Sequence, residues 1–167
     1  MPVQGLQRRN PMSSAQDAFE RMIRLAIRRE REAYEFYNEA AKNSQLSSSA
    51  KLLLELAQRE VTHREKLEKA LEEDVCETFS CGSVDEVNDL KLSDYLVDIP
   101  LRSDSSPQEI LQVAMKREQA SHMFYRALSG KTTHLMFRMV FETLAREELD
   151  HKNRLEKTYE DNFMSEM

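Results

Sequence analysis

The sequence predicts an all-α protein, a four-helix bundle built from two antiparallel helical hairpins joined by a long crossover. Three observations carry this expectation. Helix breakers are scarce, with 3 Gly and 4 Pro in 167 residues, while Ala, Leu, Glu, Lys and Arg, the strong helix formers, fill long stretches. Apolar residues recur at helical spacing in four stretches, separated by a short, a long and a short connection. The first pair of stretches also repeats in the second. A chain of 167 residues suits one domain with a sizeable core and is too short for two ordinary ones, so residues 1–167 are read as a single domain.

The first helix, about 15–43, follows Ser14, which with Asp17 resembles a capping box. Its apolar stripe is Ile23, Ile27, Ala33, Tyr37 and Ala41. After "NSQLSSS" a second helix, about 47–73, carries Leu53, Leu56, Leu67 and Leu71 on one face. The third opens at "SSPQE": Ser106 suits the cap, Pro107 the first helical position and Glu109 the reciprocal partner of the cap. It is expected over about 107–129, with Gly130 as the residue that ends it. The fourth runs over about 133–160. Between the hairpins, the segment of about 74–105 holds Gly82, Pro100 and scattered Asp and Ser, and "VNDLKLSDYLVDI" within it is a candidate short helix. Short connections force antiparallel neighbours, whereas some 30 residues can carry the chain along the whole bundle.

Charge and hydropathy exclude some classes of function. A formal net charge of -6, with basic runs such as Arg28 and Arg29 interleaved with Glu, does not suit a nucleic-acid partner. No run approaches the ~18 apolar residues that span a bilayer, and no apolar stretch follows the basic N-terminus, so no membrane partner and a cytoplasmic location are expected. Cys76 and Cys81 are the only cysteines, and a chain with a full core does not need them as a disulfide.

The repeat has one constant offset. "AIRREREAYEFY" starts at Ala26 and "AMKREQASHMFY" at Ala114, 88 residues apart. "LAQREVTHREKLEK" starts at Leu56 and "LAREELDHKNRLEK" at Leu144, again 88 apart. Glu30 thus pairs with Glu118, Tyr37 with Tyr125, Glu60 with Glu148, His63 with His151 and Leu67 with Leu155. The matched polar residues lie on the apolar stripes: Glu60 and His63 are one turn apart between Leu56 and Leu67, as are Glu148 and His151 between Leu144 and Leu155. Four carboxylates and two imidazoles would therefore point into the bundle, where unpaired charge is costly. Two divalent cations balance four carboxylates and leave the histidines neutral. A Glu from each of two helices plus Glu-x-x-His from each of the other two is the set that holds two iron or manganese ions in ferritin-like carboxylate bundles. A metal-free bundle with hydrogen-bonded Glu–His pairs is the alternative.

"AIRREREAYEFYNEAA", "LAQREVTHREKL" and "LAREELDHKNRL" resemble the helix patterns of the rubrerythrin family, within the ferritin-like superfamily, from about Asp17 to Glu160. The resemblance implies a non-haem diiron centre. In it Glu30 and Glu118 are terminal ligands, Glu60 and Glu148 bridge two iron ions, and His63 and His151 each cap one. Manganese or zinc can substitute in such a site. Tyr37 and Tyr125, two turns after Glu30 and Glu118, are read either as core aromatics or as hydrogen-bond donors to a bridging carboxylate. Two departures stand out. The two Cys-x-x-Cys pairs of a rubredoxin domain are not found, because Cys76 and Cys81 have four residues between them, so an external electron donor such as rubredoxin or a reductase is implied. The family's extra carboxylate one turn after the third-helix glutamate is Ser121 here, so a peroxidase step that exchanges it with a histidine is not implied. His122 and His134 are read as surface or packing residues. The function implied is reduction of hydrogen peroxide or dioxygen with oxidation of iron(II), by an oxidoreductase acting in oxidative stress, as a homodimer. Iron oxidation for storage or delivery, and a bundle whose metals only stabilise it, remain open.

Overall fold

The computed structural model describes residues 11–72, 100–132 and 135–164. They form four helices: α1 Pro11–Asn43, α2 Ser47–Glu72, α3 Pro107–Lys131 and α4 Leu135–Phe163. The fold is the expected ferritin-like four-helix bundle. The expected crossover helix, both cysteines, Thr133 and His134 lie outside the described residues. No helix among the described residues is long and apolar enough to cross a membrane.

Three helix ends differ from expectation, and one of them is the end of α4, which runs on to Phe163. α1 begins at Pro11, three residues before Ser14, so Ser14 is not its cap; proline, with φ already near helical and no N–H to leave unpaired, suits a first helical position. α3 runs through Gly130 to Lys131. The chain leaves the helix at Thr132, which is extended at φ -90 and ψ 118. Thr132 Oγ1 donates to the Leu128 carbonyl at 2.5 Å, and the Arg138 guanidinium donates to the Thr132 carbonyl at 3.3 Å. These side chains satisfy the terminal carbonyls that a left-handed glycine would otherwise help to satisfy. The start of α3 is as expected: Glu109 N donates to Ser106 Oγ at 3.1 Å and Ser106 N to Glu109 Oε2 at 2.8 Å.

The hairpins are α1 with α2 and α3 with α4; across the bundle α2 meets α4 and α1 meets α3. The core has two halves. One contains Ile23, Ala26, Leu67, Phe124, Tyr125, Phe141 and Leu144, the other Leu111, Ala114, Leu155, Phe36, Tyr37, Leu53 and Leu56. Adding or subtracting 88 converts each residue of the first group into one of the second. The duplication is therefore a physical pseudo-twofold that exchanges the two halves of the core. Arg29 lies over the Phe124 ring at 4.6 Å, and its equivalent Arg117 over Phe36 at 4.3 Å, so the same cation–π contact closes the α1–α3 seam twice.

Candidate metal centre

Between the two apolar halves sit Glu30, Glu60, His63, Glu118, Glu148 and His151, each at most 3% exposed. Each helix presents them from the stripe that drives its burial, so packing the apolar neighbours carries these polar groups inside. They form two overlapping groups, Glu30, Glu60, His63 and Glu148, and Glu60, Glu118, Glu148 and His151, within each of which the ligand atoms lie inside 4.8 Å of one another. Glu60 and Glu148 belong to both. His63 Nδ1 is 3.3 Å from Glu148, 3.4 Å from Glu60 and 3.6 Å from Glu30. His151 Nδ1 is 3.4 Å from each of Glu60, Glu118 and Glu148. The two imidazoles lie nearly parallel, ring centres 5.4 Å apart.

Five of these atoms, Glu60 Oε1, His63 Nδ1, Glu118 Oε2, Glu148 Oε1 and His151 Nδ1, are buried without a hydrogen-bond partner among the described residues. A buried polar atom left without a partner costs about 1–3 kcal/mol. Here they converge on one place, which is what a cation requires. Carboxylate oxygens and imidazole nitrogens suit iron, manganese and zinc, and no thiolate competes among the described residues. The residues present fit a metal site.

Protons supply the balance otherwise. Burial, then the charges of Glu60 and Glu148, push Glu30 well above the usual carboxylate range; burial and Glu148 do the same to Glu118. Burial acts against ionisation of Glu60 and Glu148 too. The close approach of Glu30 and the histidines to Glu60, and of Glu118 and the histidines to Glu148, outweighs it and holds both low. Burial also opposes protonation of the histidines, but the surrounding carboxylates raise both, His151 to about 12.

Both tyrosines reach the site, with partners other than those expected. Tyr37 Oη donates to Glu118 and Tyr125 Oη to Glu30, not to the shared Glu60 or Glu148. The reason is helix direction. Seven residues carry Tyr37 about 10 Å along α1 from Glu30, whereas α1 and α3 run antiparallel across the centre, so Tyr37 lies beside Glu118 and Tyr125 beside Glu30. Burial, then the adjacent carboxylate, raises both phenols well above their ordinary value, so they act as donors. His122 is not in the group: its Nδ1 lies 2.6 Å from the Ala145 carbonyl, a packing role as expected. At Ser121 the hydroxyl accepts from Arg29 at 3.4 Å.

The sequence reading missed Glu147. His63 Nε2 faces Glu147 Oε2 at 2.7 Å, and Lys66 Nζ holds the same carboxylate at 3.0 and 3.1 Å. The hydrogen bond from His63, then Lys66, brings Glu147 down to about 2 although partial burial opposes this. The available signal was a break in the repeat, where Glu147 stands opposite Arg59 at the offset of 88.

Comparison with curated proteins and with solved structures returned no match at the required significance. The family model described as Rubrerythrin matches residues 7–78 and 109–167, which include α1, α2, α4, α3 from Glu109 onward and all six converging residues. The chain belongs to the rubrerythrin family.

Proposed function

We propose that this is a non-haem diiron protein that reduces hydrogen peroxide or dioxygen with oxidation of iron(II). One observation carries the reading: two four-residue donor groups share Glu60 and Glu148, the arrangement two bridged metal ions need. Glu30 and His63 would complete one position, Glu118 and His151 the other. When bound, two iron(II) ions supply the two electrons that, with two protons, convert hydrogen peroxide into two waters. The protein's part is placement, dryness and protons. Leu56, Leu67, Leu144 and Leu155, each fully buried, keep bulk water from the carboxylates. Tyr37 and Tyr125 keep Glu118 and Glu30 oriented through their phenol protons, so the terminal carboxylates meet each position in a fixed direction. Turnover needs an external electron donor, a rubredoxin or a reductase, and we assign the working form to a cytoplasmic homodimer.

Anaerobic loading with iron(II) followed by rapid mixing with hydrogen peroxide tests the reading. The expected result is fast growth of ferric absorption with one peroxide consumed per two irons. Loaded protein that oxidises no faster than free iron(II) would identify the metals as structural. A large cage in place of a dimer would move the reading to iron storage.

A further inference from the structure

The pseudo-twofold holds for the six converging residues and fails one layer out. His63 has a carboxylate on its far nitrogen: Glu147 Oε2 at 2.7 Å from Nε2, itself pinned by Lys66. The residue equivalent to Glu147 at the offset of 88 is Arg59, which carries donors only and cannot accept an imidazole N–H. The equivalent of the Lys66–Glu147 pair would be Arg154 with Arg59, two cations, and Arg154 instead pairs with Glu55 at 2.5 Å. Among the described residues no carboxylate lies on His151 Nε2. A carboxylate on the far nitrogen of a ligating histidine fixes the tautomer, orients the ring and raises the basicity of the ligating nitrogen.

We infer that the two metal positions are unequal: Glu147 makes the position faced by His63 the tighter, first-filled one, and the position faced by His151 fills second. Glu147 is a positioning residue, acting through His63. The inference rests on the metal-centre reading above and not on any redox activity.

Calorimetric titration of the metal-free full chain with cobalt(II), followed in parallel by visible absorption, tests it. Two resolved steps are expected. His63→Ala removes the tight step and His151→Ala the weak one. Glu147→Ala weakens the tight step by about 10–100-fold and leaves the weak step in place. Glu147→Gln keeps an acceptor oxygen and loses less. Arg59→Glu, at an exposed position with Arg154 as counter-charge, strengthens the weak step and narrows the gap. Two equal steps in the unaltered chain would overturn the inference. So would a tight step unchanged in Glu147→Ala, or both steps weakened alike there. A chain that binds no cobalt would overturn the metal-centre reading itself, and the inference with it.

Discussion

Metal loading should release about four protons for two metals. In the metal-free centre Glu30 and Glu118 are raised and hold protons, both histidines carry a second proton, and Glu60 and Glu148 stay ionised. Two negative and two positive groups leave the buried cluster neutral. Two divalent ions need all four carboxylates ionised and both imidazoles neutral, so the exchange is two metals for four protons, again neutral. The sign follows. These four groups lie above their ordinary values, so acid favours the protonated centre and rising pH favours metal. At two protons per metal the apparent affinity gains about 100-fold per pH unit, or about 2.7 kcal/mol at about 1.36 kcal/mol per proton. Zinc(II) titration at pH 6 in weak buffer with an indicator dye counts the protons. Calorimetry in two buffers of different ionisation enthalpy checks the count. Release of fewer than about two protons per two metals, or an affinity unchanged between pH 6 and 8, would refute this reasoning.

Three further outcomes concern stability. Leu67→Ala and Leu155→Ala, at fully buried positions exchanged by the pseudo-twofold, should each cost about 2–5 kcal/mol in denaturant unfolding, with similar values for the two; a cost near zero at either would contradict the packing described. Gly130→Ala should stabilise the protein by about 0.5–1 kcal/mol, because Gly130 is helical and an added Cβ would meet nothing within 4 Å; a destabilised variant would place Gly130 outside the helix. Tyr125→Phe and Tyr37→Phe should each cost the metal-free protein about 1–3 kcal/mol by stripping a donor from buried Glu30 or Glu118, read as a melting-temperature drop of about 2–4 °C per kcal/mol. Unchanged melting in both would remove the phenols from the site.

Much of this was legible before any coordinate. The repeat told which residues face inward, because a duplicated hairpin keeps the same side chains on the same face, and six polar residues on apolar stripes had to meet. Ser106, Pro107 and Glu109 announced the start of α3 because the cap is a local exchange of two hydrogen bonds. What failed depended on long-range geometry or on competing local partners. Gly130 looked like a terminator, yet Thr132 and Arg138 satisfy the end of α3 further on. The tyrosine partners required knowing that α1 and α3 run antiparallel across the centre. Glu147 lay in view beside Glu148, but it stands one residue off the apolar stripe, and the sequence does not show that this flank of α4 faces the far nitrogen of His63, 84 residues away.

The most direct test of the two-metal centre is an anomalous difference map at the iron edge from crystals of iron(II)-loaded protein. Two peaks, both between Glu60 and Glu148, one beside His63 and Glu30 and the other beside His151 and Glu118, are the expected result. A single peak, a peak away from these residues, or none at full loading would contradict it.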